Sequence, residues 1–103
     1  MNIESIKSLF KADKVRWSVH CVERMQERDI SYDDVESCIL SGEIIEDYPD
    51  DFPHPSCLIF GNDTGKNIIH TVVGSDGETL YIITAYHPSV DKFGSDLKTR
   101  KGS

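Results

Sequence analysis

The hydrophobic period of the chain changes near Gly42, and this change limits the possible folds more than any other feature of the sequence. Before it, apolar residues recur at helical spacing: Ile3, Ile6, Leu9 and Phe10 over residues 2–12, then Val22 and Met25, then Val35, Cys38 and Ile39. Ser18 is placed to cap a helix carrying His20, which Asp29 or Ile30 breaks. Ser31 opens another helix with Asp34 three residues on, a looser form of the capping box, and Gly42 stops it. Residues 14–17 read as a connector that is extended in part. After Gly42 the runs are short, apolar and β-branched. Strands are expected over residues 43–48, 57–60, 67–73 and 79–86, separated by Pro49, Pro53 and Pro55, by Gly61-Asn62-Asp63-Thr64-Gly65 and by Asp76-Gly77. Consecutive strands joined by short turns form an antiparallel meander, and helices confined to the first half make the class α+β. The expected architecture is two or three N-terminal helices packed on one face of a twisted, roughly four-stranded antiparallel sheet, with the other face open to a ligand.

Length and charge narrow the function. A chain of 103 residues supports one core, so residues 1–101 are read as a single domain, with Gly102-Ser103 either native or a cloning remnant. Neither a membrane-spanning run nor a signal peptide is recognisable, and Cys21, Cys38 and Cys57 are too few and too irregular for a disulfide framework, so a reducing, cytoplasmic setting is expected. The net charge of -7 argues against a broad phosphate-binding surface. The charge is polarised: residues 29–51 hold nine carboxylates and no lysine or arginine, whereas Lys92, Lys98, Arg100 and Lys101 gather near the other end. A nucleic-acid ligand would therefore meet a local basic patch on an acidic body.

The segment His20-Cys-Val-Glu-Arg-Met-Gln-Glu-Arg-Asp-Ile30 sets His20, Arg24 and Arg28 at i, i+4 and i+8, a spacing that drifts only about 40° per step around a helix. All three share one stripe. Taken alone, such a stripe is more often a solvated face paired with Glu23 and Glu27. Metal sites drawn from Cys57 with His54, or from His20 with Cys21 and Cys38, match no structural zinc spacing, so neither a metal nor another cofactor is expected.

Taken in order, H-C-V-E-R-M-Q-E-R-D-I-S, S-G-E-I-I-E-D-Y-P, P-S-C-L-I-F-G, I-I-H-T-V-V, I-I-T-A-Y-H-P and a basic tail resemble the family labelled domain of unknown function 4258. That family is similar to the RelE- and MqsR-like toxins of bacterial toxin–antitoxin pairs, members of the barnase/EndoU/colicin/RelE superfold. The resemblance runs from about Ser18 to Arg100. Phe93 stands where an aromatic, usually tryptophan, is expected, and the acidic balance departs from the basic surfaces of ribosome-dependent members.

The resemblance implies a metal-independent endoribonuclease that cuts single-stranded RNA by attack of the 2′-hydroxyl. It further implies a cognate antitoxin, such as a small zinc-finger protein, as partner. Such cleavage needs a base, an acid and cations against the developing phosphorane charge. His70 and His20 are the candidate base and acid in either order, Arg24 the phosphate clamp, Tyr86 a positioning or proton-donating hydroxyl and Thr84 a supporting hydrogen-bonder. Arg28, Lys92, Lys98 and Arg100 would hold the RNA backbone. The alternative is a catalytically inactive RelE-like module that binds protein or RNA. On that view His70 is a buried histidine bonded to the backbone, Tyr86 is a core tyrosine, and His54 and His87 are loop residues beside prolines.

One geometric condition bears on the site. A two-residue loop at Asp76-Gly77 would set His70 opposite Ile83, with Thr84 and Tyr86 on the other sheet face. A three-residue loop, or an equivalent bulge, is needed to bring the three together.

Overall fold

In a computed structural model that describes residues 1–100, the three expected helices form: α1 (Ile3–Lys11), α2 (Val19–Glu27) and α3 (Tyr32–Ser41). The reading of residues 102–103 as a remnant lies outside the described residues, as does Lys101. Each helix opens on a side-chain cap that satisfies amides left without helical partners. Asn2 Oδ1 accepts from the Glu4 and Ser5 amides, and Ser18 Oγ from the Cys21 amide. At α3 the box is reciprocal: Ser31 Oγ accepts from the Asp34 amide and Asp34 Oδ2 from the Ser31 amide.

The sheet has five strands in the order β1-β5-β4-β3-β2, with β1 (Val15–Trp17), β2 (Glu43–Tyr48), β3 (Ser56–Asn62), β4 (Ile68–Ser75) and β5 (Leu80–Tyr86). Strands β2 to β5 form the expected antiparallel meander. The expectation of four antiparallel strands is corrected by β1, which pairs parallel to β5 with Val15 opposite Leu80 and Trp17 opposite Ile82. A strand of three residues is too short to display a period-two alternation, so its sequence reads as a connector.

Helices and sheet meet in one core. Ile6, Cys21, Met25, Val35, Cys38 and Ile39 from the helices pack with Cys57, Ile59, Ile69, Val73, Leu80, Ile82 and Ala85 from the strands. Fully burying an aliphatic side chain of this size contributes on the order of 1.5–3 kcal/mol, so this cluster holds the helices to the sheet. Gly61 permits the close approach of α3 to β3, since a Cβ there would lie 2.2 Å from the Cys38 carbonyl oxygen. The three cysteines are free and buried, and burial pushes the Cys38 thiol up to about 11 and Cys57 up to about 12. Trp17 sits edge-on against Tyr32 and Phe10, as an anchor for the first helices. No helix among the described residues is long and apolar enough to cross a membrane.

The other sheet face is only partly open, which narrows a second expectation. Residues 87–100 leave β5 and cross it as a strap. Phe93, 1% exposed, packs on His70 with ring centroids 4.6 Å apart. The Arg100 guanidinium donates to both Glu46 carboxylate oxygens, at 2.9 and 3.1 Å, and Lys98 pairs with Glu43 at 2.7 Å. An apolar anchor and two ion pairs to the edge strand β2 thus cover part of this side.

Candidate active site

The hairpin between β4 and β5 decides what shares the strapped face. Ser75 pairs with Leu80, leaving a loop of residues 76–79 in which Asp76 Oδ1 accepts from the Glu78 and Thr79 amides and Gly77 takes φ +96°. From that start an unbroken ladder would set His70 opposite Ala85, on the wrong parity. Instead Val73 pairs with Ile82 and Val72 with Thr84, so Ile83 is extruded as a bulge. The bulge shifts the parity, and His70 comes to lie opposite Tyr86 with Thr84 two residues away on the same face. It supplies by extrusion what a three-residue loop would have supplied by length.

His70 is fully buried, and both of its ring nitrogens are engaged. Nε2 lies 2.7 Å from the Leu97 carbonyl and Nδ1 3.3 Å from the Tyr86 hydroxyl. Burial pushes the ring below the usual histidine range; the Leu97 hydrogen bond and Glu46 oppose that shift, and Arg100 adds to it. Burial pushes the Tyr86 phenol above its usual range, against Arg100 and Arg28. At neutral pH the pair is therefore a neutral imidazole and a neutral phenol. His70, the candidate base or acid, is itself wholly buried and does not line the pocket next to it; its hydrogen-bond neighbour Tyr86 does.

Above this pair opens a pocket of about 430 Å³ lined by Arg28, Tyr86, His87, Ser89, Lys92, Phe93 and Arg100. Arg28, at the end of α2, reaches the sheet through Nη1, which donates to Thr84 Oγ1 at 3.0 Å and to the Ala85 carbonyl at 2.9 Å. Its remaining guanidinium nitrogens have no partner among the described residues. Thr84 thus accepts a hydrogen bond that holds Arg28. Lys92 makes no ion pair among the described residues, whereas Arg100 is held by Glu46 and lies over the Phe93 ring at 4.9 Å.

The structure separates other members of the expected site. His20 is exposed and Arg24 pairs with Glu27 at 2.8 Å; neither lines the pocket. The helical stripe therefore contributes only Arg28, and its buried side is Cys21 with Met25. Lys98 lies over Phe60 at 4.7 Å and pairs with Glu43, outside the pocket lining.

His87 is the functional candidate that the sequence reading placed in a loop. Its Nδ1 is 3.2 Å from the Ile68 carbonyl, which can only accept, so in the neutral ring Nδ1 carries the proton. Nε2 is left with its lone pair and no partner among the described residues. The signal available was its position: one residue beyond a strand that Pro88 terminates, where adjacent side chains can both reach one end of the sheet.

The lining combines a phenol, an imidazole and three cations, and contains no carboxylate. This donor set suits an anion with a proton to move beside it. Among the described residues, no three His, Cys, Asp or Glu side chains are grouped to hold a metal.

A family model described as "Domain of unknown function (DUF4258)" matches residues 17–87, from the end of β1 to His87. No curated protein and no solved structure matches the chain.

Proposed function

The chain belongs to the family of domain of unknown function 4258, and from that premise we propose that it is a RelE-like, metal-independent endoribonuclease of a toxin–antitoxin pair, acting on single-stranded RNA in the cytoplasm. One observation carries the reading: a concave site whose lining is cationic, includes a phenol and an imidazole, and lacks carboxylates. Arg28 and Lys92 would hold the scissile phosphate, whose charge grows as the phosphorane forms. Tyr86 and His87 would move the two protons that 2′-hydroxyl attack requires. Helices on one face of the antiparallel β2–β5 meander are in keeping with a RelE-like fold. An antitoxin would silence the site by presenting acidic or aromatic groups to Arg28, Lys92 and Arg100.

The test is cleavage of a single-stranded RNA oligonucleotide in the presence of a chelator. The expected products are a 2′,3′-cyclic phosphate and a 5′-hydroxyl, and 2′-deoxy substitution at the cut should abolish the reaction. Activity that requires added divalent metal, or that persists on the 2′-deoxy substrate, would refute the proposal.

The second reading, a binding module without chemistry, is favoured by one observation: His70 is wholly buried with both nitrogens occupied. On that reading, RNA or an acidic protein binds the pocket uncut, and replacing Arg28 or Lys92 changes affinity alone.

A further inference from the structure

We propose that His70 is a positioning residue that sets where the Tyr86 phenol proton lies and receives that proton during cleavage, so that Tyr86 Oη is the atom that meets the ribose 2′-hydroxyl. This rests on the endoribonuclease reading above and goes further by orienting the substrate within the pocket.

The argument begins at Leu97. Its carbonyl can only accept, so the 2.7 Å contact places a proton on His70 Nε2. In the neutral ring Nδ1 must then accept, and the group 3.3 Å away is the Tyr86 hydroxyl, which therefore donates to it. With its proton turned inward, Oη offers the pocket lone pairs. A phosphate oxygen has no proton to give to such an atom, but a ribose hydroxyl does. The phosphate belongs instead beside Arg28 and Lys92, in the same lining.

The chemistry balances without a further reactant. The 2′-hydroxyl proton passes to Tyr86 Oη as the phenol proton passes to His70 Nδ1, leaving an imidazolium that donates from both nitrogens. The 2′-oxygen forms its bond to phosphorus and the bond from phosphorus to the 5′-oxygen breaks. That leaving oxygen takes a proton that His87 Nε2 relays from solvent. His70 returns its proton through Tyr86 to solvent, which balances the proton that solvent supplied through His87. A neutral phenol alone is a poor base, and the buried imidazole behind it makes the transfer feasible. The charged and titratable groups that act on the pair are Glu46 from β2, Arg100 from the strap and, on Tyr86, Arg28 from the end of α2. Phe60 and Phe93 supply the apolar remainder of the His70 cage.

Three measurements test the relay: cleavage rate against pH, the tautomer and titration of His70 by ¹⁵N NMR, and affinity for a 2′-deoxy oligonucleotide. His70→Asn retains an acceptor near the Nδ1 position but cannot take up the proton. It should lose on the order of 10²- to 10⁴-fold in rate and bind the 2′-deoxy oligonucleotide within about twofold of wild type. In wild type the proton should sit on Nε2 at neutral pH, and the acid limb of the rate profile should coincide with the His70 titration and vanish in His70→Asn. The relay is overturned if wild type cuts RNA and His70→Asn cuts equally well with the same pH profile, or if the neutral ring carries its proton on Nδ1. Should His70→Asn fail to fold, the tautomer and the coincidence of the wild-type limb with the His70 titration decide the matter. A wild-type protein that cuts no RNA overturns the endoribonuclease reading and the relay with it.

Discussion

His70 on β4 and Tyr86 on β5 oppose one another only because Ile83 is extruded between Ile82 and Thr84. The bulge makes their hydrogen bond, at 3.3 Å, a property of the ladder. Tyr86→Phe keeps the ring and removes the donor to Nδ1, stranding a buried acceptor. It should destabilise the fold by about 1–3 kcal/mol, read from urea unfolding midpoints at pH 7.5.

Pocket membership ranks the histidines and arginines. His20→Ala and Arg24→Ala should leave RNA cleavage within about twofold of wild type, whereas His87→Ala should cost on the order of 10² or more, as expected for a group that transfers a proton. The comparison is of initial rates on one oligonucleotide. A His20→Ala enzyme as slow as His87→Ala would return the site to the helical stripe.

Two acid-sensitive windows follow from groups whose folded pKa is depressed. Burial keeps His70 below the reference near 6.5, although the Leu97 hydrogen bond and Glu46 work against it. As pH falls below about 6.5 the unfolded chain binds a proton that the folded chain refuses, so stability drops until pH reaches the folded value. Burial alone would raise Asp34, but hydrogen bonds from Ser31 and Thr64 outweigh it and hold the carboxyl at about 2, so its contribution is present above the unfolded value of 3.8 and is lost between there and 2. Urea midpoints taken from pH 7.5 to 5 should fall more steeply for wild type than for His70→Asn.

Phe93 is the anchor of the strap. Phe93→Ala should cost about 3–5 kcal/mol, as for other buried aromatics. If the strap docks as a unit, limited proteolysis should then cut within residues 87–100 before it cuts the sheet.

Gly61 lies where α3 crosses β3. Gly61→Ala drives a Cβ into backbone rather than into a movable side-chain tip. A loss of about 3 kcal/mol or more is expected, at the upper end for overpacking, together with an altered near-ultraviolet spectrum as α3 shifts.

Local chemistry written in consecutive residues was legible in the sequence: the caps at Ser18 and Ser31, the stop at Gly42 and the short apolar, β-branched runs of the later strands. What required pairing partners was not. Val15–Trp17 becomes a strand because β5, more than sixty residues later, offers it an edge. The register of His70 depended on a bulge whose position no turn residue announces. The strap was invisible as a cover because Phe93, Leu97 and Arg100 are scattered in a polar segment, and they cohere only when His70, Glu46 and Phe60 are arrayed on one sheet face beneath them. His20 and Arg24 show the reverse: helical periodicity correctly aligned them with Arg28, but only the last turn of that stripe reaches the sheet.

The pairing of Val15 with Leu80 bears on the order in which the protein can be made. A ribosome releases the chain from its N-terminus, and β1 has no sheet to join until β5 has emerged. Two of the helices, α1 and α2, pack against β5 as well. β1 and the sides of α1 and α2 that face β5 must therefore wait while roughly seventy residues are added at about 5–20 residues per second, an interval of several seconds. Through that interval Ile6, Cys21 and Met25 are available to chaperones or to other nascent chains, and the domain closes only when its last strand arrives.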